Sequence, residues 1–469
     1  MPVCSRVTMR PISILFTNNT LGMRAGTEHY VRDVALGLLR RGHKPVAFSL
    51  LLGEVADELR RATVPVVDDL TRVGEPPDVI HGHHHFETLI AALTFPGTPV
   101  VNFCHGWVPW EEMPLHHPAV RRYVAVDEAC VDRLVRVEGI APSRVELLLN
   151  FIDLDRFRPR APLSAGPTRA LVLSNSATPA NYAGVIVSAC RVAGIAVDIV
   201  GHAAGNPTSA PETLMASYDL VFAKGRTVLE ALAVGCAVVL ADAAGAGPLV
   251  TPANYDALRA RNFGIRELTQ PHDVAWYGAQ IARYRASDAA AVAARVRTEA
   301  GMEPAIDRLL DIYAAAMTLP PGPGDPALAA ARHCCRIAAP LKRAYEEARR
   351  AGELAADLLT AREEMAALAR TAGDGEQQAA AAAIRSESQL VMAQHAVIEL
   401  EHQLAAAHGA VNERESQLAA ARRAAMDLER QVAAYRALPA LRLRDVLVKW
   451  PVVGPVLQKS ARRLAKLLP

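Results

Sequence analysis

The chain has 469 residues, 51% of them apolar, and a formal net charge of +2. That length accommodates two or three domains with sizeable cores, and so small a charge excludes binding to nucleic acid through overall basicity. Seven scattered cysteines with no CxxC spacing exclude a disulfide frame or a cysteine-based zinc site, and suit a reducing cytosol with buried thiols. The start of the chain has only a short apolar run and no small-residue cleavage site, and no window reaches about 18 uninterrupted apolar residues. Neither a signal peptide nor a spanning helix is expected.

Residues 11–160 alternate apolar strands with amphipathic helices. Strands are predicted at 12–16, 45–51, 64–67, 79–81, 100–103, 123–126 and 145–149. Helices are predicted at 28–41, 87–93 and 128–138, the first with Val31, Val34, Ala35, Leu38 and Leu39 at helical spacing. Strict alternation implies an α/β fold with a parallel, doubly wound sheet, whose ligands bind beyond the carboxyl ends of the strands. Asn18 and Asn19, His81 with His83, His84 and His85, and His105 all lie at such ends. The four clustered histidines lack a carboxylate or cysteine partner at ligand spacing, so no metal is expected. His81, His84 and His85 read as cleft-wall or surface residues. Trp107 and Trp110 either stack on a ligand or anchor packing.

The proline-rich stretch 158–168 reads as a linker. A second alternating unit follows, with strands at 170–173, 196–200, 220–222 and 237–240 and helices at 181–193 and 228–233. Helices at 273–285, 289–300 and 304–317 are expected to close this second domain. Its centre is DLVFAKGRTVLEALAVGCAVVLAD (219–242), a strand, glycine turn, helix and strand. Such a turn points backbone N–H groups and the positive end of a helix dipole at whatever lies above it, which suits a phosphate. Lys224, Gly225, Arg226 and Thr227 form the turn; Glu230, one turn into the helix, is placed to take hydrogen bonds from a ribose diol. An ordinary crossover with a glycine cap satisfies the same pattern.

Several stretches in order resemble the retaining, sucrose-synthase-like glycosyltransferases of family four, which have two facing Rossmann-like domains (GT-B). They are AGTEHYVRDVALGLLRRGH (25–43), DVIHGHH (78–84), PVVNFCHG (99–106), YVAVDEACVDRLV (123–135), NFIDLDRFRPR (150–160) and LEALAVGCAVV (229–239). The resemblance implies an acceptor domain at 1–160 and a nucleotide-sugar donor domain at 168–318. It implies an active-site role for His105 and Glu230, and donor contacts from Lys224, Gly225, Arg226, Thr227 and Glu230. Acceptor contacts fall on Gly22, Gly26, Thr27 and His83. No cofactor beyond the nucleotide-sugar co-substrate is implied. The sequence departs from the family pattern at the donor side: the first of two family glutamates falls on Phe222, the loop 174–182 has no Arg or Lys, and the segment 201–219 is short.

After Met317 a proline-glycine linker is assigned to 319–340 and a coiled coil to 341–437. Glu-Ser-Gln-Leu-like tetrads recur every 14 residues from Glu387, with Leu390, Val397, Leu404, Val411 and Leu418 on one seam. Self-association through 387–437 is the expected use; a single solvated alanine-rich helix is the alternative. The tail 438–469 interleaves basic and apolar residues around Trp450, a pattern suited to an anionic membrane surface. The combined expectation is a cytoplasmic glycosyltransferase at the inner face of a membrane, acting on a glycan or lipid-linked acceptor for cell-surface polysaccharide. A non-catalytic GT-B-like scaffold that oligomerises through its coiled coil is the competing class.

Overall fold

The computed structural model describes residues 10–371, apart from Met23, Val108 and Pro109. In the first half, β1 (Ser13–Thr17), α1 (Gly26–Arg40), β2 (Lys44–Phe48), α2 (Glu54–Arg61), β3 (Val66–Val67), β4 (Val79–Gly82) and α3 (His85–Thr94) come first. They are followed by β5 (Val100–Cys104), β6 (Val120–Ala125), α4 (Glu128–Asp132) and β7 (Val145–Leu147). A π-helical turn, Arg133–Val137, continues α4. The second half contains β8 (Arg169–Leu173), α5 (Tyr182–Val192), β9 (Ala196–Val200), α6 (Pro211–Met215), β10 (Leu220–Ala223), α7 (Arg226–Val234) and β11 (Ala237–Asp242). Then come β12 (Gly245–Leu249), α8 (Tyr255–Ala260), α9 (Val274–Ala282), α10 (Ala286–Glu299), α11 (Met302–Thr318) and α12 (Pro326–Thr371).

The strands form two sheets. The first is wholly parallel, in the order β3-β2-β1-β4-β5-β6-β7; the second runs β12-β11-β10-β8-β9, parallel except for β12 at its edge. Both faces of each sheet are covered, which explains why the strands are apolar throughout. In β1, Ile14 and Phe16 enter one core while Leu15 enters the core on the opposite face. The order of each sheet reverses beside its first strand, between β1 and β4 and between β8 and β10. These reversals place the crevices of the two halves.

Two chain crossings join the halves. Phe151 belongs to the first core and Ile152 to the second, so the outward crossing falls inside NFIDLDRFRPR. Residues 158–168 already belong to the second half, where the Arg160 N–H donates to the Val234 carbonyl at 2.9 Å. The return crossing pairs with the outward one: the Ile152 N–H donates to the Ala300 carbonyl at 2.9 Å and the Met302 N–H to the Ile152 carbonyl at 3.0 Å.

The structure corrects several expectations. Helix α11 does not close the second domain. Its stripe of Met302, Ile306, Leu309, Ile312, Tyr313 and Ala316 packs into the core of the first sheet. Helical periodicity shows that such a stripe is buried and leaves open which core takes it. Segment 319–340 is only partly a linker, because α12 begins at Pro326, where Asp325 Oδ1 caps the Leu328 N–H at 2.7 Å. Cys104, Cys130, Cys190 and Cys236 are buried, but Cys334 and Cys335 are exposed on α12. The heptad region 387–437 and the tail 438–469 lie outside the described residues.

Candidate active site

The N-terminal turn of α7 lies against α1. Arg226 is largely buried and bridges the two halves: its Nη2 donates to Asp33 Oδ2 on α1, and its Nε donates to Glu230 Oε1 at 2.9 Å. Asp33 also takes hydrogen bonds from Arg32 at 2.9 and 2.7 Å, and Arg32 reaches Glu58 at 3.1 Å. Arg24 donates to the same Glu58 at 2.6 Å. Charges of alternating sign therefore run from α2 through α1 into α7. Burial by itself would lower the Arg226 pKa; Asp33 and Glu230 outweigh it and keep the guanidinium charged. Burial raises the Glu230 carboxyl, with Arg226 acting against it.

The rest of the turn is committed to structure as well. Lys224 pairs with Asp242 at the end of β11, 3.0 Å away. Gly225 has φ of +62°, a left-handed conformation that favours glycine, and its N–H donates to the Phe263 carbonyl at 2.9 Å. That leaves the start of α7, at Arg226 and Thr227, as the stretch without helical acceptors for its N–H groups. Phe222, at the position of the missing glutamate, is fully buried and meets the Tyr277 ring edge-on at 5.7 Å. The loop after β8 approaches the first half, with Asn175 Nδ2 3.5 Å from the Arg24 carbonyl.

Beneath α1 the first half gathers its histidines. The His83 and His105 rings lie 4.5 Å apart, and Tyr30 stands edge-on to His105 at 4.9 Å. His83 Nε2 is 2.6 Å from His81 Nε2, and His81 Nδ1 is hydrogen-bonded to the Tyr313 hydroxyl of α11. His81, His84 and His85 are therefore not cleft-wall or surface residues. The strand ends that carry them are roofed by α1, α11 and the segment after β5, and all three are buried. Burial holds His81 and His83 well below the ordinary histidine value. His105 is lowered to about 4, chiefly by burial; Glu112 opposes the shift, while His84 and Arg226 reinforce it. His83 Nδ1, His105 Nε2 and the Tyr30 hydroxyl are buried without hydrogen-bond partners. Such atoms raise the energy of the apo state and are natural places for a ligand hydroxyl or water.

The loop after β5 is fixed from both halves. The His105 N–H donates to Glu112 Oε2 at 2.8 Å, and His84 Nε2 lies 3.6 Å from the other oxygen of that carboxylate. Arg133, on the π-helical turn, donates to the Gly106 carbonyl at 2.6 Å, and Arg266 of the second half covers the Trp107 ring at 4.7 Å. Trp110 packs near His85, with ring centroids 5.0 Å apart. His84 has φ of +59°, an uncommon conformation for a residue with a side chain. It is secured by the Asn19 N–H on its Nδ1 at 3.1 Å and by Thr88 Oγ1 on its carbonyl at 2.5 Å.

The predicted residues thus separate into groups. His83 and His105 meet directly, and Arg226, paired with Glu230, acts on His105 electrostatically. Lys224 points to Asp242. Gly22 lies beside the start of α2, where its carbonyl accepts the Glu54 N–H at 2.9 Å. Gly26 opens α1 with no atom near its missing side chain, and Thr27 Oγ1 donates to Glu28 at 3.0 Å. A cavity of about 480 Å³ between the halves is lined by residues of 128–147 with Arg261 and Arg266, none of them a predicted site residue. Among the described residues, no group of three or more His, Cys, Asp or Glu side chains is arranged to hold a metal ion. No described helix is long and apolar enough to cross a membrane.

Asp33, Arg32, Tyr30, Glu112 and Tyr313 escaped sequence reasoning. A charge on the polar side of an amphipathic helix normally reads as solvated; here the second half covers it.

Two Rossmann-like sheets with their carboxyl ends toward a shared junction, and a last helix returned to the first sheet, define the GT-B architecture. Residues 24–156 match Glycosyltransferase Family 4. No curated protein matches the sequence. Among solved structures, a glycosyltransferase from Rickettsia africae is similar over 66% of this chain and 100% of its own, with 13% identity and a TM-score of 0.50. HepE of Anabaena, solved with UDP and glucose, is similar over 65% of this chain and 99% of its own, with 14% identity and a TM-score of 0.49. WaaG, a glycosyltransferase involved in lipopolysaccharide biosynthesis, covers 64% of this chain with 99% of its own, at 12% identity and a TM-score of 0.43. At 13% identity the likeness to the Rickettsia protein speaks to fold alone.

Proposed function

We propose that the chain is a glycosyltransferase that moves a sugar from a nucleotide-sugar to a glycan or lipid-linked acceptor, with retention at the anomeric carbon. The observation that carries this reading is Arg226 at the start of α7, which pairs with Glu230 and with Asp33 of the other half and acts electrostatically on His105. The donor diphosphate would sit over the start of α7, and Arg226 would exchange a carboxylate partner for phosphate. Charge developing on the leaving diphosphate is then met by fixed positive groups, and enclosure excludes water. His105 would hold sugar hydroxyls at the reacting centre. Self-association through 387–437 and membrane contact through 440–469 complete the proposal. Flotation on anionic liposomes with and without 440–469 tests the latter.

The non-catalytic reading is favoured by one specific observation: Arg226, Glu230 and Lys224 are all engaged within the protein, and Phe222 fills the core where a ligand-binding glutamate belongs. Incubation with UDP-, GDP- and dTDP-sugars decides between them. Turnover or donor hydrolysis that falls at least about a hundredfold in Glu230→Gln supports catalysis. No turnover and no thermal shift with any donor supports the scaffold.

A further inference from the structure

A cavity of about 410 Å³ lies on the flank of the first sheet, where residues 322–325 and the first turns of α12 cross residues 116–123 and Arg144. It contains none of the residues of the candidate active site. Its wall is prebuilt: the Gly322 N–H donates to the Pro118 carbonyl at 2.9 Å, and Asp325 caps α12. Three arginines and three histidines line it: Arg144, Arg332, Arg336, His116, His117 and His333.

The carboxylates nearby do not balance these groups. His116 Nε2 and Arg336 Nη2 share one Glu138 oxygen, each at 3.1 Å. Asp325 is exposed, and one of its oxygens is used by the helix cap. Arg332 is exposed and has no ion-pair or hydrogen-bond partner among the described residues. Arg144 lies over the Tyr123 ring at 5.3 Å and gives one N–H to the Val120 carbonyl at 2.5 Å, leaving the rest of its fork unspent. His117 accepts the Ala119 N–H on Nδ1 at 3.1 Å, so its proton is on Nε2, which is buried without a hydrogen-bond partner.

His333 supplies an independent sign. It is only 2% exposed; its Nε2 meets His85 Nδ1 at 2.9 Å, and its Nδ1 is buried with no partner. In one tautomer of the pair, His85 donates and His333 Nδ1 carries a proton with no acceptor. His333 lines the cavity, and an anion bound there would supply that acceptor and select that tautomer. Guanidinium forks with a neutral N–H donor at one wall match the oxygens of a phosphate better than a lone carboxylate.

We propose that this cavity is a second binding site, separate from the active-site junction, for a phosphate-bearing group. The proposal does not depend on transferase activity. A lipid headgroup and a soluble phosphate compound present the same chemistry, and the test has an arm for each.

The full-length protein is titrated with inorganic pyrophosphate by calorimetry at low salt, where such contacts are least screened. Affinity is expected to fall at least about tenfold in Arg332→Glu, less in Arg332→Gln, and to stay within about twofold in Arg191→Gln, an exposed arginine of α5 outside the cavity. Arg332 holds no part of the fold, so both Arg332 variants should melt with the wild type. In the second arm, the same proteins are co-sedimented with phosphatidylcholine vesicles carrying phosphatidic acid. Loss of sedimentation in Arg332→Glu identifies a lipid headgroup; unchanged sedimentation with weakened pyrophosphate identifies a soluble ligand. Pyrophosphate binding that is absent from the wild type, unchanged in Arg332→Glu, or weakened as much in Arg191→Gln as in Arg332→Glu overturns the proposal.

Discussion

Replacing Asp33 by asparagine removes one charge from the bridge between the halves at almost constant volume. The Asp33 side chain is 7% exposed and holds Arg32 and Arg226 together. Burial by itself would raise its carboxyl; Arg226 and Arg32 outweigh burial and hold it at about 2, against an ordinary 3.8. That difference corresponds to about 2 kcal/mol in favour of the charged form. Stripping one partner from a buried ion pair costs about 3–5 kcal/mol. Here Arg226 keeps Glu230 and Arg32 keeps Glu58, so the loss should sit below that range, at about 2–3 kcal/mol, or roughly 5 °C in melting temperature. The sign with pH follows from the depressed carboxyl. Its contribution is fully present above 3.8 and is lost only as pH falls toward 2. The difference between wild type and Asp33→Asn should therefore be flat from about pH 5 to 8. Differential scanning fluorimetry across that range measures it. The same variant releases Arg226 toward phosphate, so a nucleoside diphosphate should bind about tenfold more tightly by calorimetry, a change of about 1.4 kcal/mol. An unchanged melting temperature would refute the bridge as a structural tie, and unchanged nucleotide affinity would refute the exchange of partners at Arg226.

Phe222→Ala should destabilise by about 3–5 kcal/mol, read as a lower urea midpoint. Phe222→Glu, which reinstates the glutamate of the family pattern, should unfold the second half because it buries an unpaired carboxylate; circular dichroism of the purified variant checks this. Tyr313→Phe leaves His81 Nδ1 without its partner in the core and should cost about 1–3 kcal/mol, and an unshifted urea midpoint counts against that hydrogen bond. His85 and His333 are both held below the ordinary 6.5, first by burial; His333 then lowers His85, and Arg336 lowers both. The unfolded chain binds the extra protons, so stability is full above 6.5 and falls as pH drops toward 4. His333→Gln should flatten that slope in urea unfolding between about pH 7.5 and 5, and an unaltered slope contradicts the assignment.

The alternation of strands and helices, the parallel sheets and the glycine turn before α7 were legible in sequence, because they follow from local periodicity and backbone chemistry. Two-sided burial makes a parallel strand read as an uninterrupted apolar run, and β1, β5 and β11 show it plainly. The candidate site was legible only in part. His105 and Glu230 stand out at the ends of elements, whereas Asp33 and Tyr30 look like ordinary positions on an amphipathic helix.

By itself the sequence determined that there are two α/β halves, where their strand ends lie, and which turns are positioned to face a phosphate. Tertiary structure alone decided that α11 returns to the first sheet, that His81, His84 and His85 are roofed over, and that Arg226 is held between Asp33 and Glu230. Periodicity is a property of neighbouring residues, and it carries no information about which distant surface a stripe or charge will meet. That choice depends on the shapes of both cores and on the burial of charge between them, which exist only once the chain has folded.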